Sequence, residues 1–282
     1  MSTAIERQNA VTTLQTAAGW LRETPALIGL FFVFALVNAT GQLSGIAAIV
    51  GSLVGSLVSL LVAGIAHVSA ADKAAGRVPD LAAHAETVGR RLLALVGIAI
   101  VSGILTGVAA LFLVIPGIYV GLRLSLAPAA CVIDDMGIGD SLSESWEVAQ
   151  GNLLKLFGIQ LATGLVSLIV LAALVGVTGS WEPLVQGDPT ALFVPTVLST
   201  PVTAVVAPLA QLAIARVYLE NRGRDDADGD GTMATDDSEN LTVQPDDDDW
   251  QRTTEEFDDG PAEVDDGTDE RDEDKDDYWD DR

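Results

Sequence analysis

The chain has 282 residues, a mean hydropathy of +0.36 and a net charge of −25. These averages conceal two pieces: residues 1–220 hold 13 acidic and 9 basic side chains, whereas residues 221–282 hold 27 and 6. A single well-mixed globular domain is excluded. So are electrostatic binding to nucleic acid, since neither piece is basic, and a disulfide framework or cysteine zinc site, since Cys131 is the sole cysteine.

Charged side chains are costly in hydrocarbon, so stretches that avoid them carry the main signal. The first 23 residues are polar, and no secretory leader is expected there. They predict an amphipathic helix with Val11, Leu14, Ala18 and Leu21 on one face, ended by Thr24 and Pro25. Thr24 to Ala71 then runs 48 residues without Asp, Glu, Lys or Arg. At about 20 residues per span this holds two, predicted near 25–41 and 44–70.

A second unit follows the same plan. Asp80 is placed to cap a short helix through about Gly89, with Leu81, Ala85 and Val88 on one side. Leu92 to Ile133 carries one charge, Arg123, in 42 residues. It predicts spans near 91–115 and 117–133, divided by a turn at Ile115-Pro116-Gly117. Asp134, Asp135 and Asp140 come next. Paired carboxylates can bind metal or do acid–base work, but here a solvated turn and helix cap are the expectation.

In the third unit Ser141 and Glu144 form a capping-box pattern, and Leu142, Trp146 and Ala149 lie on one helical face. Gly151 and Asn152 are placed to end that helix and cap the next. Spans are predicted near 153–178 and 192–219. The last holds Pro195, Pro201 and Pro208. They read either as kinks tolerated in a membrane helix or as a broken helix forming a substrate site.

Lys and Arg set the orientation. One side of this arrangement gathers Arg7, Arg22, Lys73, Arg77, Arg90, Arg91, Lys155 and the basic residues from Arg216 onward. The opposite loops, near 41–44, 115–118 and 179–191, hold only Glu182 and Asp188. The positive-inside rule puts both termini in the cytoplasm.

The second and third units also align at an offset of 61. Glu86/Glu147, Leu92/Leu153, Leu93/Leu154, Leu95/Leu156, Gly97/Gly158, Ile98/Ile159 and Gly103/Gly164 match. Both copies enter the membrane from the same side, so the repeat is direct. Small residues at Gly51, Gly55, Ser59 and Ala63, and the pairs Gly103/Gly107 and Gly117/Gly121, allow close packing inside a bundle. A homo-oligomer face is the alternative use of these stripes.

Arg123 is the candidate ligand-binding residue, because an intramembrane arginine is a functional hypothesis by default. It would bind an anionic headgroup or solute. The plainer reading is a side chain that snorkels or bonds carbonyls within the bundle. His67 and His84 lack ligand spacing and read as interfacial polar residues. No G-x-S-x-G, P-loop, H-E-x-x-H or dinucleotide fingerprint is present. No catalytic residue, metal site or cofactor is therefore assigned.

The last 62 residues are dense in like charge and predict a disordered acidic tail. Asp226, Asp228, Asp230, Gly231 and Asp237 match a calcium-loop pattern, which an aspartate-rich tail produces by chance. The dominance of Asp, with 12 Arg against 3 Lys, points to a salt-loving organism.

Two stretches carry a resemblance. One runs from Ile115-Pro116-Gly117 through Leu122-Arg123, Ala127-Pro128 and Asp134-Asp135 to Ser141-Leu142-Ser143-Glu144-Ser145-Trp146 and Gly151-Asn152. The other is Tyr218-Leu219-Glu220-Asn221-Arg222. Together they resemble the multi-span membrane domain attached to some bacterial glycerophosphoryl diester phosphodiesterases, and multi-span membrane proteins of haloarchaea. The resemblance covers roughly residues 1–222 and implies a shared membrane fold. It does not carry the hydrolase activity over, because neither a barrel of the needed length nor a catalytic histidine pair is present.

The expected architecture is all-α: an integral membrane six-helix bundle of three amphipathic-helix-plus-hairpin units. The units span about 1–70, 71–134 and 135–220, and the acidic tail occupies 221–282. The expected function is a non-enzymatic membrane scaffold or accessory subunit linked to lipid or envelope processes. A small-solute transporter or permease component is the alternative, and an enzyme acting through Asp134 or Asp135 stands third. The expected partners are membrane lipids and a protein, with no nucleic acid. The expected location is the plasma membrane.

Overall fold

The computed structural model describes residues 8–39, 46–188 and 190–222. All of these fall in a single compact unit. The acidic tail and its calcium-loop match lie outside the described residues.

The described residues form helices and no strand. These are α1 (Ala10–Glu23), α2 (Pro25–Ala39), α3 (Ile46–Ala74), α4 (Leu81–Arg90), α5 (Leu92–Phe112), α6 (Val114–Leu124), α7 (Ala127–Ile133), α8 (Ile138–Val148), α9 (Leu153–Val177), α10 (Trp181–Val185) and α11 (Phe193–Asn221). Five stretches are long and apolar enough to cross a membrane: α3, α5, α6 with α7, α9 and α11. The chain is thus a multi-pass membrane protein by length and composition. A sixth crossing depends on α1 and α2, which meet at 94°. Alone, the 15 residues of α2 reach only about 22 Å, short of a hydrocarbon core of about 30 Å.

α11 is the central element and packs against α1, α2, α3 and α9. Its 29 residues run unbroken through Pro201 and Pro208, and Pro195 sits in the first turn, where a missing N–H costs nothing. Of the two readings of these prolines, the broken helix is not formed: the last span is one continuous helix. Pro201 cannot donate to the Val197 carbonyl, and the Thr200 hydroxyl donates to it instead, at 2.6 Å.

The short amphipathic helices exist, but two bury a different face than expected. α1 buries Thr13, Ala17 and Leu21, while Val11 is 64% exposed. α8 starts at Ile138 with Gly137 before it, so Ser141 lies inside the helix and the capping box does not form. α8 buries Ser141, Ser145 and Val148, leaving Trp146 37% exposed. α4 follows expectation: the Asp80 carboxylate accepts from the N–H groups of Ala82 and Ala83. Asn152 stands at the N-cap position of α9 as expected, but its side chain makes no cap hydrogen bond there. Its side-chain amide donates back to the Val148 carbonyl at 3.0 Å, and Gly151 makes the turn at φ 72°. The expected turn at 115–117 moves to Leu113, the one extended residue between α5 and α6. Gly117 then lies within α6, where a Cβ would come 2.7 Å from that of Ala110.

The offset of 61 reappears in space. α5 and α9 begin at Leu92 and Leu153, and Leu95/Leu156 and Ile98/Ile159 are all buried. Gly97 faces Ile138, the first residue of α8, and Gly158 faces Ala10, the first residue of α1. Gly97 and Gly158 thus each seat the start of another unit's amphipathic helix. Gly64 makes room for the last turns of α4, where an added Cβ would sit 2.5 Å from the Val88 side chain. Gly103 and Gly107 are exposed with no neighbour within 4 Å, so this pair does not serve internal packing among the described residues.

Candidate functional site

Arg123 is the tenth residue of the stretch Val114–Ile133, next to the break between α6 and α7. Its guanidinium stacks against two rings, 5.2 Å from the centroid of Tyr119 and 4.9 Å from that of Trp146. Its Nε and Nη2 donate to the Tyr119 hydroxyl at 3.0 and 2.7 Å, and Nη1 donates to the Trp146 carbonyl at 2.5 Å. That carbonyl is in the last turn of α8, where helix geometry leaves it without an N–H partner and a cation is favoured. The residue is buried, and its donors face inward. The carbonyl-bonding reading is the one the geometry fits.

Ser145, from the same motif, closes the break itself. Its hydroxyl donates to the Arg123 carbonyl at 2.6 Å and accepts from the Leu126 N–H at 3.1 Å. Both backbone groups lose their helical partners at the break, and a buried one without a partner is costly.

The helix ends on this side are tied by charge. Lys73 pairs with Glu23, Arg91 with Asp135, and Glu220 with both Lys155 and Arg216. Asp134 accepts from the Tyr218 hydroxyl at 2.5 Å and from Arg222 at 2.6 Å. Asp72 meets Arg77 and His84, and the other nitrogen of His84 lies 3.1 Å from the Ser69 hydroxyl. Asp134 and Asp135 are therefore ion-pair partners in the structure, not a free carboxylate pair. Sequence reasoning missed the pairings of Lys73 with Glu23, Arg91 with Asp135, Lys155 with Glu220 and Arg222 with Asp134 because each joins residues far apart in the chain. The clue was present: Asp134-Asp135 and the Tyr218–Arg222 stretch both flank predicted spans on one side.

The histidines are not interfacial in the sense expected. His67 is buried within α3, its Nε2 lies 2.8 Å from Gln211 Oε1 on α11, and its Nδ1 makes no hydrogen bond. His84 is buried between α4 and α3.

Three adjoining cavities flank α9. An open groove of about 550 Å³ lies among α5, α6 and α9, lined by Thr106, Val114, Ile118, Phe157, Gln160 and Leu161 among others. Gln160 also borders a second, of about 250 Å³, between α9 and α11, with Thr163, Ser167, Thr203 and Gln211. Ser167 and Thr203 continue into a third, of about 150 Å³, which adds Thr196 and Ser199. Arg123 lines none of the three. Among the described residues no group of three or more His, Cys, Asp or Glu side chains is placed to hold a metal ion.

Comparison with known proteins agrees with this layout. Residues 81–221 match the family described as Domain of unknown function (DUF7847), from the first residue of α4 to the last of α11. That match covers half of the chain, so the protein belongs to this family. No curated protein and no solved structure matches it.

Proposed function

We propose that this protein is a non-enzymatic scaffold or accessory subunit of the plasma membrane. It would hold six spans with both termini in the cytoplasm and be linked to lipid or envelope processes. The observation that carries this reading is the charged clasp. Four ion pairs at one set of helix ends, Lys73–Glu23, Lys155–Glu220, Arg91–Asp135 and Arg222–Asp134, tie α1 to α3, α9 to α11, and the end of α7 to α5 and α11. Helices joined this way offer a fixed platform rather than an alternating gate, and a platform suits a scaffold. Lysines and arginines on that same side favour its assignment to the cytoplasm.

The acidic tail, which follows α11 in sequence, serves as a tether for a basic partner. Its composition fits a salt-rich cell interior, where the Debye length falls to about 3 Å at 1 M and self-repulsion is screened. The likeness to the phosphodiesterase membrane domain supports the same role, because there too the spans are a membrane partner for chemistry done elsewhere.

The test is purification from native membranes at high salt, comparing the full chain with one ending at Arg222. A stoichiometric protein partner found by mass spectrometry is expected, and its loss on truncation would locate the contact in the tail. Both forms emerging without any protein partner would overturn the scaffold reading. The polar cavity between α9 and α11 favours a second reading, a small-solute permease, which predicts solute flux in proteoliposomes of the pure protein.

A further inference from the structure

We propose that the joined cavities along α9 form a binding site for an uncharged, hydroxyl-bearing amphiphile of the glycerolipid type, entered sideways from the bilayer. This site is independent of the scaffold role and of Arg123.

Polarity at membrane depth is the first argument. Gln160 is exposed about 10 Å along α9 from Leu153, and Ser167, also exposed, lies about 21 Å along. Thr163 and Gly164 fall on the same face, and Thr196, Ser199 and Thr203 form the facing strip on α11. The Gln160 carboxamide makes no hydrogen bond among the described residues. A polar group facing lipid tails without a partner is costly. Gln160, set beside the hydroxyls of both helices, therefore marks a place built to be occupied.

The chemistry of the strip then selects the occupant. The hydroxyls of Thr163, Ser167, Ser199 and Thr203 each donate to a carbonyl of their own helix, at 2.8, 3.1, 2.8 and 3.2 Å. Their protons are engaged, and they offer oxygen lone pairs to the cavity. The carboxamides supply the donors. Gln211 is held through its oxygen by His67, which leaves its amide nitrogen for the cavity. No Lys, Arg, Asp or Glu lines any of the three chambers. A phosphate would meet lone pairs without a cation to balance it. An alcohol both donates and accepts, and matches this mixture.

The shape supplies the apolar half. The 550 Å³ groove is bordered by Val114, Ile118, Phe157 and Leu161, all exposed on the helix surface, and meets the polar groove at Gln160. Its size lies within the roughly 300–1,000 Å³ usual for small-molecule sites. A head at Gln160 and Thr203 with a chain turned between α6 and α9 fills both parts.

The test uses the full chain in phosphatidylcholine nanodiscs and a diacylglycerol probe carrying a diazirine in one acyl chain. Photolabelling is expected on α6, α9 and α11 around Gln160. Unlabelled dioleoylglycerol should compete, whereas dioleoylphosphatidylglycerol and hexadecane should not. The pair Gln160→Leu with Thr203→Val should weaken competition by about tenfold, the loss of roughly two hydrogen bonds. Leu161→Trp, which fills the apolar chamber and spares both polar side chains, should weaken labelling without changing Tm. Ile169→Leu, exposed elsewhere on α9, should change nothing. Labelling spread evenly over the outer faces would overturn the proposal, as would equal competition by all three compounds or a folded Leu161→Trp that labels normally.

Discussion

The guanidinium of Arg123 closes the C-terminal end of α8 through the carbonyl of Trp146, 2.5 Å from its Nη1. The contact joins a membrane-spanning helix to a short amphipathic one and places a cation at the negative end of the helix dipole. Arg123→Lys keeps the charge but loses the planar fork that reaches Tyr119 and Trp146 together. It should lower stability by about 1–3 kcal/mol, on the scale of hydrogen bonds to a charged group. Thermal unfolding in nanodiscs measures this, and Arg123→Leu should cost at least as much. Unchanged Tm in both would show that the stacked arrangement carries no weight.

Ser145 completes the same corner. Replacing its hydroxyl strands the Leu126 N–H and the Arg123 carbonyl in a buried place. Ser145→Ala should therefore destabilise by about 1–3 kcal/mol. Ser143→Ala, two residues away and exposed, should stay within about 0.5 kcal/mol of the parent. The contrast between these serines of one motif, read by parallel melts, separates a structural hydroxyl from a surface one.

The buried Tyr218 hydroxyl holds Asp134 at 2.5 Å, across 84 residues of sequence. A double-mutant cycle with Tyr218→Phe and Asp134→Asn should give a coupling of about 0.5–3 kcal/mol, as expected for residues in one hydrogen-bonded network. Additive effects would mean that the bond contributes nothing to holding α11 against α7.

Glycines with different neighbours should respond oppositely. In Gly64→Ala the new Cβ would lie 2.5 Å from Val88. Overpacking there should cost about 1–3 kcal/mol. At Gly103 and Gly107 nothing lies within 4 Å, so Ala should be neutral or gain up to about 1 kcal/mol from helix propensity. A loss of oligomer on Gly103→Ala, seen by sedimentation, would instead assign that stripe to a contact between copies.

What was legible in the sequence followed from one-dimensional signals. The charge-free runs located α3, α5, α9 and α11, because burial in lipid acts on every residue of a span alike. Asp80 as a cap was legible because its partners, Ala82 and Ala83, are adjacent in sequence. The 61-residue offset was legible because the same buried positions recur in both copies. The buried face of α8 was not. Apolarity pointed to Leu142 and Trp146, yet Ser141 and Ser145 turn inward. Ser145 does so to meet backbone groups freed by a helix break that the sequence places only loosely. Arg123 was legible as an outlier, but its use was not, since Trp146 offers a carbonyl that no side-chain pattern reveals. The cavity along α9 was hidden for a related reason. Its hydroxyls belong to two helices 30 or more residues apart, and serine and threonine in a membrane helix ordinarily bond their own backbone.

Glu220 sits at the centre of a buried charge cluster. Its carboxylate is fully covered and faces two cations, Lys155 and Arg216, whose side chains are 10% and 9% exposed. Arg216 also lies 5.3 Å from the ring centroid of Trp20, so the cluster links α1, α9 and α11. Glu220→Gln removes the charge while keeping the shape and leaves two buried cations side by side. Breaking a buried pair in this way typically costs about 3–5 kcal/mol, more than the pair contributes to stability when intact. Restoring neutrality with Lys155→Met in the same chain should recover a large part of the loss, because the repulsion is gone and Met fills the space of the lysine stem. The comparison of Tm for the single and double variants decides it. A single variant as stable as the parent would show that the three charges are solvated and that the clasp at the base of α11 is not what holds α1 and α9 to it.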